Sequence, residues 1–261
     1  MSDSISFDRA ADIYDATRAL RPEAQAHVTN AMLGELRRLG AGRMLEIGVG
    51  TGRMARPLAE RGIRVCGVDI SPRMLARLLD QLGPQHTPPD LMLAGATRLP
   101  IRARSFRAAL AVHVFHLIPG WRAALRELQR VIEPGGVLIE HYEDSDFGAL
   151  ESGNQKWSEL LAARDFERRH RPDPEEIDEA LEEMGATVRV ETVYEENVVR
   201  TPAQDLEETR ARAHSWTWEI PDDILQACLP EYERWARDFF RDLHRPFTGR
   251  VRHQLEVWTF P

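Results

Sequence analysis

Apolar residues along the chain follow two rhythms, one helical and one of strand type, which alternate through most of its length. Phe7, Ala10, Ala11 and Tyr14 recur at helical spacing within residues 6–16. Ala26, Val28, Met32, Leu33, Leu36 and Leu39 form a second stripe, opened by Pro22 and ended by Gly40. Four apolar runs of strand length follow: Met44–Ile47, Val65–Asp69, Leu91–Ala94 and Ala108–Val114. Helical stretches of about 52–61, 71–82 and 120–131 lie behind the first, second and fourth. The fourth run is apolar at nearly every position, as a central strand covered on both faces must be. Ile132–Glu140 holds a Pro-Gly-Gly turn into a fifth strand. Helices over about 151–169 and 174–184 and a sixth alternating run, Ala186–Tyr194, lead to residues 201–246, which read as two or more helices. Val251–Phe260 alternates again as a seventh, antiparallel strand.

Strands separated by helices build an α/β fold. The pattern predicts a doubly wound, seven-stranded, mostly parallel sheet with helices on both faces and a helical cap inserted near the C-terminus. The expected division is an N-terminal lid and helix over 1–40, a core over 41–200, the cap over 201–246 and a closing strand over 247–261.

Composition narrows the class. With 43% hydrophobic and 29% charged residues the chain reads as an ordinary globular protein. No apolar run approaches the roughly 20 residues of a membrane span, and the polar start Met1-Ser2-Asp3-Ser4 does not resemble a signal peptide. Cys66 and Cys228 make neither a disulfide framework nor a zinc spacing. A cytoplasmic location is the expectation. The net charge of −8 is uneven: residues 1–150 carry 19 basic against 17 acidic side chains (+2), residues 151–261 carry 15 against 25 (−10). Such an acidic half repels a phosphate backbone, so nucleic acid is not expected as a partner, and without an apolar run of spanning length neither is a membrane.

The chemistry concentrates in Met44-Leu45-Glu46-Ile47-Gly48-Val49-Gly50-Thr51-Gly52-Arg53, a strand that breaks into three alternate glycines before a helix. Glycines so placed let a ligand approach the backbone, and a helix N-terminus behind them offers unpaired N–H groups. A dinucleotide fingerprint needs its last glycine at position 53, which is Arg53, so the spacing leans away from NAD. Glu46 lies at the mouth of the first strand, where a carboxylate can face an ammonium group. Asp69, 21 residues after Gly48, closes the second strand where an acid accepts ribose hydroxyls.

Glu46-x-Gly48-x-Gly50-x-Gly52 followed by Asp69-Ile70-Ser71-Pro72-Arg73-Met74 resembles the class I S-adenosylmethionine-dependent methyltransferases, small-molecule (type 11-like) group. The resemblance is specific over about residues 5–142 and implies the Rossmann-like methyltransferase fold. It implies that Glu46, Gly48, Gly50, Gly52, Asp69, Ile70 and Met74 hold the cofactor's methionine and ribose. Gly95-Ala96-Thr97 would form the adenine turn, and Tyr14 and Arg18 would lie near the methionine end. At Gly95 the family often has an aspartate, so backbone groups, Thr97 or water would read the adenine here.

His113 and His116 leave the fourth strand near the expected methyl position, His113 within reach of the cofactor as well. Either can serve as a general base, or simply shape the pocket. The chain lacks the Asn/Asp-Pro-Pro-aromatic and Pro-Cys signatures of base methylation, and it lacks the His/Asp/Glu cluster that a metal-assisted catechol methylation would require, so no metal is expected. The expected function is methyl transfer from S-adenosylmethionine to a small, at least partly apolar or aromatic acceptor. A protein that binds S-adenosylmethionine or its demethylated product without transfer fits the same motifs, and a nicotinamide oxidoreductase fits them less well.

Overall fold

A computed structural model describes residues 7–8, 19–82 and 89–261. The predicted lid with Tyr14 and Arg18 lies outside the described residues, apart from Phe7 and Asp8. The elements run α1 (Pro22–Arg38), β1 (Arg43–Ile47), α2 (Ala55–Ala59), β2 (Arg64–Asp69), α3 (Pro72–Leu82), β3 (Asp90–Leu93), β4 (Phe106–Ala111), α4 (Trp121–Val131) and β5 (Ile132–Asp146). They continue as α5 (Ser152–Ala162), α6 (Pro174–Glu183), β6 (Thr187–Arg200), α7 (Pro202–Arg210), α8 (Asp222–Phe240) and β7 (Phe247–Thr259). Among the described residues no helix is long and apolar enough to cross a membrane.

The seven strands form one sheet in the order β3-β2-β1-β4-β5-β7-β6, with β1 to β5 parallel. β7 runs against β5: Gly135 and Gly136 exchange backbone hydrogen bonds with Phe260, while His141 meets His253 further along. The order reverses between β1 and β4, which makes the C-terminal ends of these strands the crevice of a doubly wound sheet.

The chain folds as two compact units. The first comprises residues 1–143, 171–194 and 253–261. Its core has two halves because strand side chains alternate faces. Leu45, Ile47, Val68, Ala109 and Ala111 pack with Leu125 and Leu128 of α4, Leu181 of α6 and Trp258. Met44, Val65, Ala108 and Leu110 pack with Met32 and Leu36 of α1, Leu58 of α2 and Leu78 of α3. Each such aliphatic side chain contributes roughly 1.5–3 kcal/mol by leaving water, and the register this fixes carries Glu46 and Asp69 to the same sheet edge.

The second unit comprises residues 144–170 and 195–252. Trp157, Leu160 and Leu161 of α5 share a core with Leu206 of α7 and with Leu225, Cys228, Leu229, Tyr232, Ala236 and Phe240 of α8. Trp157 stacks on Tyr232 at 4.5 Å, and Trp235 contacts Tyr232, Phe239 and Phe240. Of the aromatic residues of 201–246, Tyr232 and Phe240 are buried in this unit's interior and Trp216 and Trp235 pack partly buried against it, whereas Phe239 is exposed.

Several element boundaries differ from the sequence pattern. β4 ends at Ala111, short of Val114, because His113 adopts φ +50° and takes the chain out of the strand. The helix expected over 52–61 is only Ala55–Ala59: Gly52 at φ +81° delays its start, and Ile63 N–H to Leu58 C=O closes it. The helix expected over 151–169 stops at Ala162, where Asp165 turns left-handed and the Phe166 N–H caps Leu161. β5, β6 and β7 are each longer than expected, since their polar outer stretches are held in register by neighbouring backbone rather than by an apolar stripe.

Candidate active site

The glycine loop starts where β1 ends. Gly48, Gly50 and Gly52 all have positive φ, which L side chains adopt only with strain. A β-carbon at Gly52 would lie 2.9 Å from Leu78 Cγ, and one at Gly48 2.6 Å from Val114 Cγ2, so these two are small because protein packs against them. Gly50 differs: its β-carbon would meet nothing closer than the Gly48 carbonyl at 3.9 Å. That opening leaves the space for close ligand approach that the sequence pattern predicts.

Asp69 ends β2 and fastens this loop. Its Oδ2 accepts the Gly50 N–H at 2.9 Å and its Oδ1 the Ser71 N–H at 2.8 Å. The Ile70 N–H adds a third backbone bond to this carboxylate, whose two oxygens together offer about four acceptor sites, so room for a hydroxyl donor is left. Burial pushes the Asp69 carboxyl up, against the backbone N–H groups that lower it, and Asp8 adds a further upward push. Asp8 is a contributor that the sequence did not indicate. It accepts the Ser71 hydroxyl at 2.5 Å, while Ser71 Oγ accepts the Met74 N–H at 3.1 Å and so caps α3. Ile70 lies between these anchors, and Met74 is buried in the first turn of α3.

Glu46 is 3% exposed on β1, and its Oε2 has no hydrogen-bond partner. Burial, with the Asp69 charge adding to it, raises the carboxyl to about 8 against the pull of Arg53. A buried carboxyl with an orphaned oxygen beside an open glycine loop fits a cofactor that brings an ammonium group and ribose hydroxyls. After β3, Ala94 donates to the Asp69 carbonyl at 3.0 Å, and Gly95-Ala96-Thr97 turns through an Arg98 N–H to Gly95 C=O bond. Thr97 lies close enough to Gly120 that a β-carbon there would meet its methyl at 3.2 Å.

His113 leads to two residues the sequence analysis passed over. Its Nε2 lies 3.7 Å from Glu143 Oε1, and its ring meets His141 edge-on at 6.2 Å between centroids. His141 and Glu143 share a face of β5, whose register with β4 pairs Ala111 with Glu140 and so brings His113 opposite them. One ligand atom from each of His113, His141 and Glu143 lies within 4.8 Å of the others. The sequence showed no such His/Asp/Glu cluster, and the fold corrects this by joining residues some 30 positions apart. His141 is 1% exposed, with Nε2 facing Nδ1 of His253 at 3.2 Å. Burial pushes the His141 imidazole down to about 3, leaving it neutral at pH 7. Burial raises the Glu143 carboxyl, but the pairing with His113, joined by His141 and the Arg53 charge, outweighs this and brings it to about 2. The Arg53 charge bears on Glu46, His141 and Glu143 alike. His116 sits on the 3₁₀ turn Phe115–Leu117, half-buried and outside this cluster.

These features define a Rossmann-like methyltransferase core with an open glycine loop at its switch point. Residues 45–139 match the family described as "Methyltransferase domain" (Methyltransf_11). Over this stretch the chain is thus similar to the class I S-adenosylmethionine-dependent methyltransferases, a family that uses S-adenosylmethionine as its cofactor. It is 35% identical over 136 residues to the ubiquinone/menaquinone biosynthesis C-methyltransferase UbiE of Syntrophotalea carbinolica, covering 51% of this chain and 57% of that protein. It is 30% identical over 159 residues to the malonyl-[acyl-carrier protein] O-methyltransferase of Serratia marcescens, covering 61% and 58%. The chain therefore spans less than two thirds of the length of these relatives. Its fold resembles that of the [4+2]-cyclase SpnF, with TM-score 0.59, 19% identity, and 98% of this chain and 93% of the other covered.

Proposed function

We propose that the protein transfers a methyl group from S-adenosylmethionine to a small acceptor that is at least partly apolar or aromatic. The cradle of Glu46, Gly50 and Asp69 carries this reading, because an orphaned buried carboxylate oxygen, an open loop and spare lone pairs match the cofactor's polar groups. Glu46 takes the ammonium, Asp69 the ribose hydroxyls, and the Gly95–Thr97 turn receives adenine through backbone groups. Ile70 and Met74 border the ribose side.

When bound, the cofactor supplies an electrophilic methyl group. The chain's part is to align the acceptor and exclude water. Val114 and Phe115, buried directly after His113, give that end of the sheet an apolar wall. The −10 charge of residues 151–261 disfavours an anionic acceptor. An acceptor that arrives protonated needs a base or an electrophile there, and His113 with Glu143 is the pair placed to serve it, with His116 the second candidate. The two relatives differ in both the acceptor and the atom named, so the reading stops at the acceptor's class.

The likeness to a cyclase favours one other reading, binding of S-adenosylmethionine without transfer, since a fold does not dictate its chemistry. Calorimetry with S-adenosylmethionine, beside a panel of phenols, quinols and small acids scored for S-adenosylhomocysteine release, separates the two. Binding with turnover of at least one acceptor is expected. Binding without turnover across the panel favours the second reading, and absence of binding overturns both.

A further inference from the structure

We propose that His113, His141 and Glu143 form a binding site for one divalent transition-metal ion of the zinc or cobalt type. Two imidazoles and one carboxylate are a donor set such ions take with a coordination position left open. Ligand atoms around a four-coordinate ion stand roughly 3.4 Å apart, given bonds of about 2.1 Å. The His113 to Glu143 separation of 3.7 Å is already close to that, and since no separation exceeds 4.8 Å the contraction needed is at most about 1.4 Å on the same estimate. His113 and Glu143 keep 40% and 34% of their side-chain surface exposed, which leaves both room to swing and a path for an ion to enter.

His141 supplies the fixed part. An ordinary histidine–glutamate contact accounts for His113 and Glu143, but not for a buried imidazole whose Nδ1 has no hydrogen-bond partner. Its Nε2 faces His253 Nδ1 at 3.2 Å, with the two rings within 2° of parallel. With Nε2 donating to His253, the lone pair sits on Nδ1, the nitrogen left to the cluster. An outer group that fixes tautomer and ring orientation is the usual support of a metal-ligating histidine. His113 enters the cluster from φ +50°, a strained conformation for a residue other than glycine and one that concentrates at functional sites. The Arg53 charge bears on the same cluster and works against any cation held by charge alone. It thereby favours an imidazole-preferring ion over magnesium or calcium.

Metal binding here does not depend on the methyl-transfer reading. If both hold, the ion's open position would take an oxygen of the acceptor and lower its pKa, the task otherwise left to a protein base.

The test uses the full chain, stripped with a chelator and titrated with Co²⁺ alone, without cofactor. One equivalent should bind with visible d–d absorption, and one equivalent of Zn²⁺ should remove the band. Glu143→Gln and His141→Ala should abolish the band, and His113→Ala should weaken binding at least tenfold. His253→Gln, which keeps an acceptor, should weaken it about 10- to 100-fold as an outer-shell change. If His141→Ala does not fold, the half-exposed His113 and Glu143 variants decide. Absence of saturable binding at millimolar Co²⁺, or binding indifferent to His113→Ala and Glu143→Gln, overturns the proposal. S-adenosylmethionine affinity measured on metal-free protein keeps that outcome separate from failure of the transferase reading.

Discussion

Gly50 donates its backbone N–H to Oδ2 of Asp69 at 2.9 Å, so the residue expected to hold the cofactor's ribose also holds the loop that would embrace the cofactor. Asp69→Ala removes both functions. Two charge-assisted hydrogen bonds to ribose, at ~1.5–3 kcal/mol each, imply a loss of cofactor affinity of at least a hundredfold. Calorimetry checks it, and unchanged affinity would remove Asp69 from the site.

Gly50 and Gly52 should respond differently to the same substitution. At Gly50 a methyl group faces open space, so Gly50→Ala pays mainly for φ +55°, ~1–2 kcal/mol, and obstructs the ligand. At Gly52 the methyl would meet Leu78 at 2.9 Å and the Arg56 stem at 3.0 Å on top of the backbone strain. Thermal melts and cofactor titration should therefore show Gly52→Ala losing more stability and Gly50→Ala losing binding with its far-UV circular dichroism intact. Equal effects of the two on melting would mean that the opening at Gly50 is not ligand space.

The contrast between these glycines and the His113 cluster marks what the sequence could disclose. Glu46, Gly50 and Asp69 are legible because a strand, a turn and the next strand fix their spacing within one local unit. His113, His141 and Glu143 meet only through the β4–β5 register, and nothing in a single chain's pattern states that register. His141-Tyr142-Glu143-Asp144 is polar, so it reads as the end of a strand, although β5 continues to Asp146. Asp8 escaped notice for the same reason, since Ser71 is 63 residues away. The aromatic residues of 201–246 are conspicuous in the sequence, but Trp157, which meets Trp216 and Tyr232, comes from a segment with no visible link to them.

Trp157 is 3% exposed and stacked on Tyr232 within the core of the second unit. Trp157→Ala should cost about 3–5 kcal/mol as a buried aromatic truncation. Urea unfolding followed by circular dichroism checks this, and a cost below about 1 kcal/mol would mean that the helices of this unit do not depend on the stack.

Glu140 links stability to pH. It is buried, accepts a hydrogen bond from the Tyr142 hydroxyl at 3.0 Å, and burial raises its carboxyl from 4.5 to about 8. A group raised in the folded state contributes full stability below its unfolded value and loses it as pH rises through the folded one. The loss attributable to Glu140 thus falls between about 4.5 and about 8. Glu140→Gln keeps the acceptor for Tyr142 and cannot ionise. It should match the parent at the acid end and exceed it progressively up to pH 9 in urea unfolding. A constant difference across that range would show that Glu140 does not titrate in the folded protein.

Glu46 offers a test of cofactor placement that needs no acceptor. With its carboxyl at about 8 the free protein holds a proton there at pH 7, since burial disfavours the charge. An ammonium group set against the orphaned Oε2 favours the ionised form, so the proton must leave as the cofactor binds. The cofactor's α-amino group, at ~7.7–8.0 when free, is already mostly charged at pH 7 and takes up little in exchange. Binding enthalpies measured at pH 7 in buffers of different ionisation heat should therefore report release approaching one proton. Release should shrink as pH rises through about 8, where Glu46 is ionised before the ligand arrives. Below pH 8 apparent affinity should rise with pH, because the proton competes with the cofactor. Glu46→Gln should bind more weakly and show neither proton release nor this pH dependence. If the variant releases as many protons as the parent, another group gives them up and the ammonium does not face Glu46.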